Sequence, residues 1–425
     1  MNGGLKKAGE INLVYLLAVF SVPGLLFCSG SAASICYSGL TFPVSAVLAV
    51  IWSFAFFVSN TKIFFCAPVE SFYFILVAGA ALSLAVSGLV GWTSCATFVC
   101  ILSTAYIIVK LLGVGSVVRG FVGILEFLAV ISLVGFIVFE LIGVTPPFPK
   151  MITHTASTSY SNAIFFVVDL GLNSGRNVGI FWEPSIFAAY INIAIAIVLF
   201  CDHSDKRSRR LVLFLVVLLT TESAGGLIEF FCIMVAYWYR KGSKPFVIVC
   251  LIALIMLFVL SYTNLQNLLL GINYDLFYKF FGGSNSGTTQ TRLECPILNL
   301  RIWLDSPVFG NGFYGADIMY DNLRRASVIS NLAQTSTITY LPAAIGVFGF
   351  SLLLACIYGF AKITYLPLFS KVSLFIASMV FLNEEPCTYF IAVYLMFFVL
   401  LELSRRQNVP NSNSKSGVFD VGRKS

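Results

Sequence analysis

Charge is what this chain has least of. Only 11% of its 425 residues are Asp, Glu, Lys or Arg, against about 25% in soluble domains, which excludes an ordinary water-soluble globule. Histidine is almost missing: His154 and His203 are the only two, so a conventional zinc site is excluded and no cofactor is expected. The 11 cysteines form no C-x-x-C motif and sit mostly in apolar runs, where they behave as small hydrophobic residues. Cys28 and Cys36 are the one pair placed to bridge, in the first external connector. There is also no polar tract long enough for a separate soluble domain.

Apolar sequence fills the space instead, at 58% of the chain. Runs of span length are expected at 11–28, 39–58, 69–90, 94–112, 121–143, 184–201, 211–221, 225–239, 246–261, 338–360, 367–382 and 387–403. The fold class this predicts is an all-α polytopic membrane protein of about twelve transmembrane helices, one integral membrane domain over 1–425. Lys6 and Lys7 ahead of the first run suggest a signal peptide, and Leu25-Leu26-Phe27-Cys28 a lipoprotein site. Phe27 is too large to precede such a cysteine and many spans follow, so an uncleaved first helix is expected.

Net charge is +7, but the basic residues are scattered through short connectors, as membrane topology uses them, and no nucleic-acid partner is expected. With the N-terminus in the cytoplasm, 19 of the 26 basic residues fall inside. The other seven are Lys150, Arg176, Lys279, Arg292, Arg301, Arg324 and Arg325, all in two long outer loops, 144–183 and 262–336. The tail 404–425 is then cytoplasmic. Between Arg210 and Arg240, basic at both ends, the sequence turns at Thr220-Thr221-Glu222-Ser223-Ala224-Gly225-Gly226. A hairpin of two short helices with a polar notch at its apex fits this; a single long tilted helix is the other solution.

Within the spans, Glu126 lies near an inner end and Glu140 near an outer one, where each can reach water. The first outer loop closes on Arg176 and then Phe181-Trp182-Glu183-Pro184. Glu183-Pro184 suits the first turn of a helix, yet Arg176 and Glu183 also arrive together at a water–lipid boundary. The second loop opens with a stretch, 264–283, patterned as a surface-lying amphipathic helix. Arg292 and Arg301 then flank the turn-forming Cys295-Pro296. With 297–305 helical, Arg301 and Asp305 stand one turn apart, able to pair on a solvated face.

Arg301-x-Trp303, Pro307 and Gly310-x-Gly312, in the long outer loop before the last three spans, resemble the O-antigen ligase and polymerase superfamily. Three more stretches agree: Gly179-Ile180-Phe181-Trp182-Glu183-Pro184, Thr221-Glu222-Ser223-Ala224-Gly225-Gly226, and Asn331-Leu332 followed by Gly346-Val347-Phe348-Gly349. The chain departs from the pattern at Ala224, where the family has arginine, and at Ser330, where it often has histidine. The resemblance implies a GT-C-like, metal-independent membrane glycosyltransferase in the bacterial inner membrane. Its donor would be an undecaprenyl-diphosphate-linked oligosaccharide at the periplasmic face, and a chain-length regulator protein its partner beside the bilayer. The activity implied is that of a polysaccharide polymerase; a ligase moving glycan onto lipid A core is the alternative, weakened by Ser330.

The residues suit that chemistry on their own terms. Breaking a glycosyl–phosphate bond builds charge on a diphosphate, and guanidinium groups match phosphate oxygens bidentately. Arg176, Arg292 and Arg301 are the candidates for that task. Glu183 is the best-placed base, with Asp305 and His154 behind it. A flippase or other transporter is the rival class, but no internal repeat is visible and the charges gather outside rather than at the midplane.

Overall fold

The structure, a computed structural model, describes residues 2–59, 68–153, 159–171, 174–202, 204–249, 287–326 and 334–406. His154, the expected surface helix 264–283, most of the ninth expected span, Asn331 and the tail beyond 406 lie outside these residues.

Helices dominate. In chain order they are α1 (Asn2–Phe27), α2 (Ala32–Cys36), α3 (Thr41–Val58), α4 (Pro68–Val86) and α5 (Trp92–Gly135). Then come α6 (Pro184–Cys201), α7 (Arg207–Thr221), α8 (Ala224–Arg240), α9 (Gly287–Asp305) and α10 (Phe313–Ala326). The chain ends in α11 (Thr337–Ile345), α12 (Ser351–Lys362), α13 (Leu368–Glu384) and α14 (Ile391–Arg406). Among the described residues five helical stretches are long and apolar enough to cross a membrane: Ser38–Val58, Pro68–Val86, Trp92–Leu141, Pro184–Cys201 and Thr337–Lys362. The third holds two of the expected spans, separated at Gly113, whose φ of 72° and ψ of 158° belong to no helix. Outward faces carry large apolar side chains such as Phe20, Phe57 and Leu368, the surface a helical membrane protein offers to lipid. Inside, Trp52, Phe98, Phe187, Tyr394 and Phe398 are buried in one continuous core.

Two expectations are corrected. The all-α reading misses a three-stranded antiparallel sheet in the first long loop: β1 (Lys150–Ile152), β2 (Ser159–Asn162) and β3 (Val167–Asp169). Its register sets Met151 opposite Tyr160 and Tyr160 opposite Asp169. Met151, Tyr160 and Val167 form a small core of their own with Ala32, Cys36 and Val178. The Tyr160 hydroxyl reaches out of it to donate to the Trp182 carbonyl at 2.8 Å. Cys28 and Cys36 are both buried and both free, so no bridge joins them.

The hairpin reading of 211–239 holds. α7 and α8 are separated by two residues only, Glu222 in the left-handed region at φ 48° and Ser223. Ser223 caps α8, its hydroxyl accepting from the Gly226 N–H at 3.1 Å, which satisfies one of the donors a helix start leaves open. Glu126 pairs with Arg209 at 3.3 Å and Arg210 at 2.9 Å, tying α5 to the start of α7.

The Gly310-x-Gly312 turn acts as backbone-to-backbone docking. The Asn311 N–H donates to the Ala343 carbonyl at 3.0 Å and the Gly312 N–H to that of Ala344 at 2.9 Å. Gly310 has φ 74°, and a Cβ there would collide with the Ala344 carbonyl and the Gly346 nitrogen. Gly310→Ala is therefore expected to cost at least about 1–2 kcal/mol from the left-handed backbone alone, with the collision added. A thermal melt of the detergent-solubilised variant, lower in midpoint than wild type, checks this.

Candidate active site: carboxylates and arginines at the hairpin apex

Two helix-end problems bring the site together. A helix leaves its last carbonyls without donors, and in α7 these point into the bundle. Arg176 meets them from the first loop: Nε donates to the Thr221 carbonyl at 3.0 Å and Nη2 to that of Glu222 at 2.9 Å. Its neighbour Asn177 gives its backbone N–H to the Thr220 carbonyl at 2.9 Å and its amide to the Thr220 hydroxyl at 3.0 Å. A guanidinium at the negative end of a helix dipole is also favourable electrostatically.

The second problem is Pro296. Cys295-Pro296 was expected to form a turn, but α9 runs through it. Proline has no N–H, so the carbonyl of Arg292, four residues back, loses its helical donor. Asn383 supplies the missing bond, its amide donating to the Arg292 carbonyl at 3.0 Å. That bond fastens α9 to the end of α13, beside Glu384 and Glu385. The Arg292 side chain follows: Nη1 lies 3.6 Å from Glu384 Oε1 and Nη2 3.9 Å from Glu385 Oε1. Both distances are beyond normal hydrogen bonds, so the charges face each other without a tight fork.

Glu385 is anchored on its other side by the Ser185 hydroxyl, which donates to Oε1 at 2.7 Å. Glu384 lies against the first turn of α8, where a Cβ on Gly225 would land on its carboxylate; glycine at 225 makes the room. Behind it in α8, Glu229 is buried, and Asn192 donates to it at 3.2 Å and to the Gly226 carbonyl at 2.7 Å. Glu183 precedes α6 in extended backbone with no side-chain cap bond. Its charge acts instead on both Arg176 and Glu385.

The sequence candidates thus separate into two groups. Arg176, Arg292 and Glu183 come together, Arg176 and Arg292 near enough for each to feel the other's charge. Arg301 and Asp305 do not join them. Both are exposed on α9; nine residues from Arg292 is about 13 Å along an unbroken helix and roughly half a turn around it. Among the described residues no ion pair links Arg301 to Asp305. Glu384, Glu385 and Glu229 were not among the sequence candidates. Their signal was there: an acid inside an apolar span, and two adjacent acids in a connector that follows one, are costly unless partnered.

Charge balance distinguishes this cluster from the one at the other end of the bundle. There Lys110 meets Glu70 at 2.5 Å and Glu402 at 3.4 Å, and Arg405 meets Glu402 at 2.5 Å, two cations for two acids. At the hairpin apex two arginines face Glu183, Glu384, Glu385 and Glu229. Burial pushes the Glu385 carboxyl up to about 8, with the charge of Glu183 adding to it and Arg292 opposing. Burial pulls the Arg176 guanidinium below the ordinary arginine value, with Glu183 and Glu222 opposing. A group held protonated more strongly in the folded chain than in the unfolded one stabilises the fold fully below its unfolded value, and that stability is lost as pH rises. Wild-type protein should therefore lose melting temperature between about pH 5 and pH 8, starting from an ordinary carboxylate value near 4.3. Glu385→Gln should flatten that slope; an unchanged slope would remove Glu385 as its source. No protein-family model and no curated protein matches the chain, so the chemistry of this site rests on its geometry.

Proposed function

We propose that this protein is a polysaccharide polymerase, a membrane glycosyltransferase joining undecaprenyl-diphosphate-linked oligosaccharide repeats at the periplasmic face of a bacterial inner membrane. The twelve-crossing topology with both termini in the cytoplasm belongs to the same proposal. What supports it above all is that Arg176, Arg292 and Glu183, from stretches over a hundred residues apart, meet at one end of an apolar bundle.

In the transfer, the acceptor hydroxyl oxygen bonds to the anomeric carbon of the donor. The bond from that carbon to the phosphate oxygen breaks, and its electron pair leaves on the diphosphate. The hydroxyl proton goes to Glu183, the carboxylate whose charge acts on both Arg176 and Glu385. Arg292 turns from its long contacts with Glu384 and Glu385 to the diphosphate oxygens, a match of planar fork to phosphate. Arg176, with Nε and Nη2 held by the hairpin carbonyls, adds fixed positive charge. Glu385, protonated at neutral pH by its raised value, keeps one negative charge away from the incoming phosphates.

Reconstitution with defined lipid-linked repeats, scored for elongation, tests this. Arg292→Ala should slow chain growth by roughly 10²–10³-fold, the usual loss when one donor to a developing charge is removed. Lysine at 292 should recover little of it, because a point charge does not replace the fork. Arg301→Ala, on the exposed face of α9, should stay within a few-fold of wild type. Equal rates for Arg292→Ala and wild type would end the proposal.

A further inference from the structure

Lined by Pro386, the residue after Glu385, lies a small polar cavity that the transfer chemistry above leaves unused. It measures about 180 Å³, below the roughly 300 Å³ at which ligand clefts usually begin. At about 30 Å³ per water it holds some six waters, the bulk of one sugar ring. Asp317 of α10, Gln334, Ser336, Tyr340 of α11, Thr388 and Tyr389 line it. Pro386 and Thr337 complete the wall toward the site, where the Thr337 hydroxyl donates to the Glu385 carbonyl at 3.3 Å and accepts from the Cys387 N–H at 2.7 Å. One wall of the cavity is thus the backbone that carries Glu385.

Its chemistry is that of a carbohydrate subsite, with two tyrosine rings, hydroxyls and one carboxylate. The Tyr340 hydroxyl donates to Asp317 Oδ1 at 2.8 Å, which fixes the carboxylate at the mouth. No Lys, Arg or His is among the lining residues, and the neighbouring stretch 327–333 contains no charged residue in its sequence. The nearest cation along α10, Arg324, pairs with Asp321 at 3.3 Å. Among the described lining residues a sugar entering here meets one carboxylate and no cation.

Resting on the glycosyltransferase reading, we infer that this cavity holds the acceptor sugar and that the sugar is uncharged, a neutral hexose or N-acetylhexosamine rather than a uronic acid. Asp317 is the specificity-determining residue, excluding an anionic ring by like-charge repulsion, while the tyrosines take the ring's apolar face.

Saturation-transfer NMR on the full chain in detergent micelles tests this, with a methyl hexoside and the matching methyl hexuronoside as probes. Wild type should bind the hexoside at least tenfold more tightly, the equivalent of about 1.4 kcal/mol. Asp317→Asn should bring the two within about threefold by improving the hexuronoside alone. Thr388→Trp, checked for an unchanged melting curve, should abolish binding of both. Absence of hexoside binding to wild type, equal affinities in wild type, or discrimination unaltered by Asp317→Asn would overturn the assignment. The outcomes separate this claim from the one it rests on. A protein that elongates lipid-linked repeats yet shows no Asp317-dependent selectivity loses the subsite only; one that binds the hexoside through Asp317 but never elongates loses the transferase reading.

Discussion

A backbone carbonyl buried in an apolar bundle must find a donor, and the site depends on two places where carbonyls cannot find one in their own helix. At the end of α7 the donors come from Arg176 and Asn177; at Arg292, opposite Pro296, the donor is Asn383. Each repair brings in a distant stretch of chain, and the functional side chains travel with it. Without Pro296 the Arg292 carbonyl would be satisfied locally and the Asn383 bond that fastens α9 to the end of α13 would be lost. The local fault in the helix is thus what assembles the charges.

Once assembled, the carboxyls outnumber the guanidinium groups, and that inequality separates the apex cluster from the self-neutralised one. The Glu70–Lys110–Glu402–Arg405 group neutralises itself at short distances, as a buried ionic group must if it only holds helices together. The apex cluster has more carboxyls than guanidinium groups and long Arg292 contacts. Such an arrangement holds a proton near neutral pH and keeps an arginine able to change partners. Ser185 and Gly225 keep the acids in place, one by a hydrogen bond and the other by the absence of a side chain.

The helical, membrane-spanning character was legible in the sequence because the length of an apolar run is a local property. The α7–α8 hairpin could be read from basic residues at both ends of a 29-residue interval with Thr-Glu-Ser-Ala-Gly-Gly at its centre. Arg176, Glu183 and Arg292 were legible as charges at a boundary. Glu384 and Glu385 were not, because their partners Arg292, Ser185 and Gly225 lie far away in sequence and no periodicity connects them. Arg301 was a candidate as a second guanidinium in the same loop as Arg292; a continuous α9 turns the two residues to different faces. The small sheet escaped because its strands are three or four residues long and its core partners, Ala32 and Cys36, belong to α2, far earlier in the chain.

The shortness of the hairpin has a consequence of its own. At 15 and 17 residues, α7 and α8 are about 22–26 Å long, less than the roughly 30 Å of a bilayer's hydrocarbon. Lipid around them must thin, or water must descend to the apex, to relieve the mismatch. The apex cluster of carboxylates and arginines would then sit below the general plane of the headgroups, in a dimple that the protein imposes on its surroundings. Acyl-chain length becomes a variable of the protein as much as of the membrane, and a thicker bilayer would close over the apex from the side.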